Sequence, residues 1–308
     1  MKTISLVLGS GGARGYAHIG VIRAIEERGY QIKGVAGCSM GALVGGFYAA
    51  GKLDVFEEWV RSLSYLDVLK LVDLSFLSDG AIRGDKVFSL LSEMLDNNNI
   101  ESLKIPYTAV ATDLTNQKEV WFSSGPLEQA IRASCSIPSL VRPVVMGNRV
   151  LVDGGVLNPL PIAASISVRA DHIFAVDLSA EVPMLPQSVK ESEAEKISHV
   201  KEKESWFAQV RNKAFSFWDK EPADAQAALD ANLGKLGVMY QMFETMQASL
   251  THYKIAGYRP DLLVRIPKDS VSLYEFYRAD AQITLGYDIA MQALDAFESG
   301  QANTYGQL

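Results

Sequence analysis

The sequence is poor in the residues on which metal centres and disulfide frameworks depend. Among its 308 residues are 2 cysteines, Cys38 and Cys135, and 4 histidines. Two cysteines cannot build a disulfide framework, and their spacing is not that of metal ligands. We therefore expect both thiols to be reduced, as in an intracellular protein, and we expect no metal site.

Long apolar segments and a surplus of basic residues are also lacking. No segment approaches the roughly 20 apolar residues of a membrane-spanning helix, and the apolar stretch at residues 4–8 is too short for a signal peptide. The net charge of −7, from 29 Lys and Arg against 36 Asp and Glu, argues against a nucleic-acid partner because phosphate binding needs a basic surface. These features predict a cytoplasmic protein whose membrane contact is at most peripheral, at the inner surface.

Apolar runs alternate with helical patterns along most of the chain. A predicted strand at 4–8, a glycine loop, a helix that ends at Gly29 and a strand at 31–36 form a βαβ unit, which favours a parallel sheet. Further strands are predicted at 107–111, 119–122, 173–178 and 262–266, with a hairpin at 144–152. Helices are predicted at 40–50, 53–96 with a loop near 78–80, 126–133, 159–169, 223–253 and 274–297.

The serine at the junction of the second strand and its helix is the first candidate for catalysis. Ser39 lies between Gly37 and Gly41, and Gly-x-Ser-x-Gly after a strand is typical of a nucleophile elbow, a sharp turn that exposes the serine hydroxyl. The N-terminus of the following helix would place positive dipole beneath it. Taken alone, the motif also fits a glycine-rich turn with a serine helix cap.

The glycine loop after the first strand has two interpretations. A dinucleotide fingerprint needs Gly-x-Gly-x-x-Gly, but Arg14 stands at the third glycine position after Gly9 and Gly11. An oxyanion hole fits better, because glycines let backbone N–H donors approach a substrate carbonyl. We predict Gly11 and Gly12 as the donors, with Arg14 as an anchor for the loop or for an anionic head group.

A serine nucleophile needs a base. Asp153 ends a predicted strand and is followed by Gly154 and Gly155, which leave its carboxylate uncrowded. A carboxylate held near a serine hydroxyl in a partly dry pocket acquires the pKa of a useful base, although alone the motif fits an aspartate turn. We expect structural or surface roles for the four histidines, since none lies in a glycine-rich loop after a strand: His18, His172, His199 and His252.

Three ordered motifs resemble those of the patatin-like phospholipase family, and the likeness covers roughly residues 4–180. In one departure, Ser10 stands where many members carry a third glycine. The matching segments are Gly9-Ser10-Gly11-Gly12-Ala13-Arg14-Gly15, Gly37-Cys38-Ser39-Met40-Gly41 and Asp153-Gly154-Gly155, with Ala133-Ser134-Cys135-Ser136-Ile137-Pro138 between the second and third.

The resemblance implies a three-layer α/β/α fold with a mostly parallel central sheet and a helical accessory region. It also implies a Ser39–Asp153 dyad without histidine, an oxyanion hole at Gly11 and Gly12, and hydrolysis of an acyl lipid or ester that requires no metal or organic cofactor. We assign residues 1–180 to a patatin-like catalytic core, 181–235 to a charged helical insert or lid, and 236–308 to a helix-strand-helix that completes the core.

The segment from 181 to about 221 is charged and low in branched aliphatic residues. Its mixture of aromatic and basic side chains fits a lid or interfacial helix that contacts lipid, and equally a helical cap on the core. Met239, Met242 and Met246, at helical spacing, fit either a core helix or the lining of an acyl pocket. The residues of the mixture are Trp206, Phe207, Phe215, Phe217 and Trp218 with Lys201, Lys203, Arg211, Lys213 and Lys220.

Other functions stay open at this level. A histidine-dependent α/β-hydrolase also uses an elbow, although its serine usually follows several strands and Ser39 follows the second. A regulatory adaptor with an inactive pocket would bind a protein partner through the charged insert. A nucleotide-binding domain is the weakest alternative because its fingerprint is incomplete.

Overall fold

The computed structural model describes residues 2–63, 85–138, 141–184, 224–272 and 275–300. Its strands are β1 (Thr3–Leu8), β2 (Gln31–Cys38), β3 (Tyr107–Asp113), β4 (Lys118–Phe122), β5 (Val144–Met146), β6 (Arg149–Asp153), β7 (His172–Ala180) and β8 (Leu262–Pro267). Its α-helices are α1 (Ala17–Glu27), α2 (Met40–Ala49), α3 (Leu53–Ser62), α4 (Asp85–Met94), α5 (Leu127–Ser134), α6 (Ile162–Ser165), α7 (Asp224–Gly257) and α8 (Ala279–Glu298).

The strands form one sheet in the order β5-β6-β3-β2-β1-β7-β8, with β4 paired to β3 beside this path. Strands β3, β2, β1, β7 and β8 run parallel, whereas β4 and β6 pair antiparallel to β3 and β5 pairs antiparallel to β6. Leu8 of β1 pairs with Gly37 of β2 and with Val176 of β7. The loops that follow these three strands therefore meet at one edge of the sheet, where α/β proteins place their sites.

Helices cover both faces of the sheet, which makes the three-layer α/β/α architecture. On one face, Gly45 of α2 lies against Val35 of β2, and Phe297 of α8 packs edge-on to Phe174 of β7. On the opposite face, a cluster that includes Val7 and Leu263 packs against side chains of α6 and α7: Ile162 and Ile255. Successive strand residues point to opposite faces, so apolar side chains fill both interfaces.

Most of the predicted elements are present, but the helix predicted at 159–169 is wrong except for α6, Ile162–Ser165. Pro159 and Pro161 explain the late start, because a residue before proline is pushed out of the helical region and proline donates no hydrogen bond. A helix can therefore start only after Pro161. The two prolines do not explain the end of the helix at Ser165. The predicted hairpin at 144–152 is confirmed as β5 and β6. The last helix starts at Ala279, after a 3-10 turn at Phe276–Arg278.

The chain divides into two compact units, one of Met1–Val182 with Met246–Leu308 and one of Pro183–Thr245. The sheet belongs to the first unit. The aromatic and basic residues of the predicted insert at 201–220, the loop predicted near 78–80 and His199 lie outside the described residues. Among the described residues, none of the helices combines the length and the hydrophobicity that a transmembrane segment needs.

Candidate active site

The turn after β2 holds Ser39 in a conformation that few residues with a side chain adopt. Ser39 has φ 54° and ψ −124° and is followed directly by α2. Such a strained position persists only where its surroundings enforce it. A Cβ on Gly37 would lie 2.4 Å from the carbonyl oxygen of Gly41, and one on Gly41 would lie 2.1 Å from that of Leu8. Both glycines are therefore required for the turn to form, as the elbow interpretation predicts.

Ser134 fixes the backbone of the elbow from α5. Its hydroxyl accepts a hydrogen bond from the backbone N–H of Ser39 at 2.9 Å and donates to the carbonyl oxygen of Val110 at 2.6 Å. The Ser39 amide is thereby satisfied within a buried site. Ser134 belongs to the segment 133–138 that carried part of the family resemblance, but nothing in that motif indicates this role.

The sheet register brings Asp153 towards Ser39. Cys38 of β2 pairs with Val110 of β3, and the next β3 residue, Ala111, pairs with Asp153 at the end of β6. Serine and aspartate thus lie at the same edge of the sheet, on either side of β3. A Cβ on Gly154 would lie 2.2 Å from the carbonyl oxygen of Val110, so this glycine allows the turn after Asp153 to pack on β3.

The carboxylate of Asp153 is fully buried and only partly hydrogen-bonded. Oδ1 accepts the backbone N–H of Gly155 at 2.7 Å and lies 3.8 Å from Sγ of Cys38. Oδ2 has no hydrogen-bond partner within the described part of the chain. Burial raises the pKa of Asp153 from 3.8 to about 6, while the neighbouring Ser39 hydroxyl, the Gly155 amide and the Cys38 thiol lower it.

The Ser39 hydroxyl is therefore close enough to influence the titration of Asp153, yet no hydrogen bond of ordinary geometry joins it to Oδ2. Hydrogen bonds between a nucleophile and its base are often long without substrate and shorten in the complex.

The glycine loop is fixed by backbone hydrogen bonds to its neighbours. Gly9 donates to the carbonyl oxygen of Val176 at 3.0 Å, and Ser10 donates to that of Pro159 at 2.8 Å. A 3-10 helix starts at Gly12, which has φ 56°, with Gly11 as its cap. The first N–H groups of a helix have no partner inside it, so this geometry is compatible with the oxyanion hole predicted at Gly11 and Gly12, which stays a prediction.

The buried side chains of Arg14 and His18 hydrogen-bond to carbonyl oxygens of this loop. Arg14 donates through Nε to the carbonyl oxygen of Gly11 at 3.2 Å and through a terminal nitrogen to that of Lys268 at 2.9 Å. These contacts favour the loop anchor over head-group binding. Nε2 of His18 lies 2.8 Å from the carbonyl oxygen of Gly9, and burial lowers the pKa of His18 to about 4. Neutral His18 therefore donates from Nε2.

Gln247 of α7 contacts both the glycine loop and the turn at residues 153–155. Its Nε2 donates to Oγ of Ser10 at 3.1 Å, and a Cβ on Gly155 would lie 1.9 Å from the same nitrogen. Both Ser10 and Gln247 are buried. A lone glutamine in a predicted helix carries no signal of such a role, so reasoning from the sequence missed it.

A polar network holds the C-terminal part of α7 beside the same loops. Lys254 pairs with Oε1 of Glu119 at 2.7 Å, and Oε2 of Glu119 accepts from Nδ2 of Asn158 and Nε1 of Trp121, each at 2.9 Å. These partners keep the pKa of Glu119 below its ordinary value although burial opposes them. Asn158 follows the turn at residues 153–155 and donates its backbone N–H to the carbonyl oxygen of Gly154.

The described histidines do not act as partners of the serine or the aspartate. His18 is bound to Gly9, His172 lies at the start of β7 and therefore at the opposite edge of the sheet, and His252 is exposed on α7. No group of three or more His, Cys, Asp or Glu side chains among the described residues could hold a metal ion.

Comparisons with known proteins agree with the fold. The model of the patatin-like phospholipase family matches residues 6–166. An NTE family protein of Mycobacterium tuberculosis is 39% identical over 332 aligned residues, which cover 96% of this chain and 92% of the mycobacterial protein. Lysophospholipase NTE1 of Coccidioides immitis is 33% identical over 196 residues, covering 62% of this chain and 12% of the fungal protein. VipD from Legionella pneumophila matches with a TM-score of 0.54 at 16% identity, covering 96% of this chain and 67% of VipD.

Proposed function

Because the chain belongs to the patatin-like phospholipase family, we propose that it is a serine hydrolase that cleaves an acyl ester of a lipid. The fungal relative, which matches 62% of this chain, is named a lysophospholipase. The proposed substrate class is therefore an acyl lipid or a related ester.

In the proposed reaction, Asp153 accepts the hydroxyl proton of Ser39 as Oγ attacks the ester carbonyl carbon. The carbonyl oxygen becomes an oxyanion, and the amides of Gly11 and Gly12 donate hydrogen bonds to it. The tetrahedral intermediate collapses as the alcohol leaves with a proton from Asp153, and an acyl-enzyme remains. Asp153 then takes a proton from water as the water oxygen attacks the acyl-enzyme carbonyl carbon, and it returns that proton to Oγ of Ser39 as the bond between Oγ and the acyl group breaks and the fatty acid leaves. No metal or organic cofactor takes part.

The observation that carries this proposal is the buried carboxylate of Asp153 beside Ser39, with Oδ2 unpartnered among the residues that the structure describes. A general base works best when its pKa lies near the working pH, and burial moves the pKa of Asp153 to about 6. Gly155 orients the carboxylate through Oδ1, which leaves Oδ2 for the proton of Ser39.

Peripheral contact with a lipid surface is part of the same proposal. Met246 and Tyr253 are seven residues apart, so they share one face of α7, and they are 49% and 73% exposed. Trp121, 47% exposed, bonds to Glu119, which pairs with Lys254 next to Tyr253. Exposed aromatic and apolar side chains of this kind partition into membrane interfaces. Met239 and Met242 are also exposed, so neither packs in the core as one interpretation of the sequence had it.

The proposal is tested by assaying purified protein against p-nitrophenyl esters and a panel of phospholipids, lysophospholipids and neutral lipids. We expect hydrolysis of at least one class, and loss of about 10³-fold or more in Ser39→Ala with the circular dichroism spectrum unchanged. Hydrolysis by Ser39→Ala at near wild-type rate would exclude the mechanism. A folded wild-type protein that hydrolyses none of the panel would favour the regulatory adaptor.

A further inference from the structure

We propose that Gln247 is a positioning residue that fixes the distance between the glycine loop and Asp153, acting through Ser10 and Gly155. The expected effect on kcat rests on the proposed hydrolase function. The contact of Gln247 with both loops does not depend on that function. The resemblance to other family members leaves Ser10 without an explanation, because a glycine is common at that position. The structure gives this serine a partner, 237 residues away in the chain.

The contact on one side is with the loop that carries the oxyanion donors. Nε2 of Gln247 donates to Oγ of Ser10 at 3.1 Å, and Ser10 immediately precedes Gly11 and Gly12. Gln247 is 4% exposed and Ser10 7% exposed, so water does not compete freely for this bond. Displacement of Ser10 would therefore move the two amides that are proposed to bind the oxyanion.

The contact on the other side is with the turn that orients the base. A Cβ on Gly155 would lie 1.9 Å from Nε2 of Gln247, so the amide packs directly on the Gly155 backbone. The N–H of Gly155 is the donor that holds Oδ1 of Asp153 at 2.7 Å. The side-chain amide of Gln247 thus contacts both the glycine loop and Gly155, whose N–H orients the carboxylate of Asp153.

Gln247 itself is held in place by the helix that carries it. One turn further along α7, Thr251 is buried, and two turns further, Lys254 pairs with Glu119 at 2.7 Å. Ile255 packs against the core cluster around Val7. These contacts belong to the same compact unit as the site, so the amide of Gln247 is a fixed reference for both loops.

A positioning role predicts an effect on the chemical step and little effect on ground-state binding. Gln247→Met keeps the length of the side chain and removes the donor, so kcat should fall by about 10- to 100-fold with KM within about twofold of wild type. Ser10→Ala removes the acceptor and should lower kcat similarly. If the two residues act through one bond, the double variant should be no worse than the more severe single variant.

The matched control is Gln241→Met, the same chemical change at an exposed position on the same helix. Rates are expressed per active site, counted with a fluorophosphonate probe, so that a loss of folded protein does not count as a loss of kcat. An unchanged kcat in Gln247→Met, or a double variant whose loss is the product of the two single losses, would overturn the inference.

A second measurement separates this inference from the proposed function. Hydrogen–deuterium exchange of Gln247→Met should be faster than in wild type in peptides that cover residues 9–16 and 153–158, and unchanged in β7 and β8. A wild-type protein without hydrolase activity would refute the proposed function, and exchange alone would then decide the coupling. Identical exchange in both segments would refute the coupling even in an active enzyme.

Discussion

Asp153 accepts the backbone N–H of Gly155 through Oδ1 at 2.7 Å, and this bond makes the two carboxylate oxygens inequivalent. Oδ1 is engaged in the turn, whereas Oδ2 is buried and has no hydrogen-bond partner in the described chain. Leaving a buried oxygen unpaired costs stability, of the order of 1–3 kcal/mol or more for a charged group. Such a cost is typical of functional sites, where a group is kept ready for a reaction.

The raised pKa of Asp153 predicts that replacing it stabilises the protein. The unfolded carboxyl ionises near pH 3.8 and the folded one near pH 6, so the unfolded state binds fewer protons between these values and stability falls as the pH rises through them. Above pH 6 the cost is up to about 3 kcal/mol, at 1.36 kcal/mol for each pKa unit.

Asp153→Asn should therefore unfold at higher urea concentration than wild type at pH 7.5, and the difference should shrink as the pH is lowered to 4.5. Asn can still accept the Gly155 N–H, so the turn is preserved. Equal stability of the two proteins at pH 7.5 would mean that the folded carboxyl ionises near its ordinary pKa.

His18 should behave as a structural donor to the glycine loop. Because burial lowers its pKa to about 4, His18 stays neutral between pH 5 and 8, and its stabilising effect is lost only as the pH falls from 6.5 towards 4. His18→Leu leaves the Gly9 carbonyl unpaired, which costs about 1–3 kcal/mol, and should lower kcat by about 10-fold. His18→Gln retains a donor and should lose less.

Steady-state kinetics and urea denaturation of both His18 variants check this prediction. A loss of about 10⁴-fold in His18→Gln with unchanged stability would instead identify His18 as the catalytic base and support the histidine-dependent alternative.

Gly41 should tolerate no side chain, because its Cβ would meet the carbonyl oxygens of Leu8 at 2.1 Å and Gly9 at 2.7 Å. Both acceptors belong to backbone that is fixed in the sheet and the glycine loop, so we expect Gly41→Ala to cost more than about 3 kcal/mol of unfolding free energy. Gly257→Ala is the matched control, since nothing lies within 4 Å of its Cβ position. It should change stability by less than about 1 kcal/mol. Similar urea midpoints for the two variants would contradict the close packing.

The parts of the site that depend on local sequence could be predicted. The elbow around Ser39 needs glycines at fixed offsets, and the turn after Asp153 needs small residues, so both appear as short motifs. The βαβ order predicted a parallel sheet, and the structure confirms the parallel pairing of β1 with β2. The family and its fold followed from these motifs.

The parts that depend on distant contacts could not be predicted. Ser134 lies 95 residues from Ser39, and Gln247 lies 237 residues from Ser10. Neither residue belongs to a motif that requires its partner, because a single hydrogen bond leaves no pattern in one sequence. The helix predicted at 159–169 was wrong at its start for a local reason, since the apolar spacing suggested a helix where the two prolines prevent one before Ile162.

The most direct test of the proposed dyad is the rate at which a fluorophosphonate probe modifies Ser39 in wild type and in Asp153→Asn, measured from pH 4.5 to 8.5 with the modified peptide identified by mass spectrometry. The account predicts modification of Ser39, a wild-type rate that rises with pH and levels off above a pKa of about 6, and a loss of about 10³-fold or more in Asp153→Asn. Modification of Asp153→Asn within a few-fold of the wild-type rate would show that Asp153 is not the base.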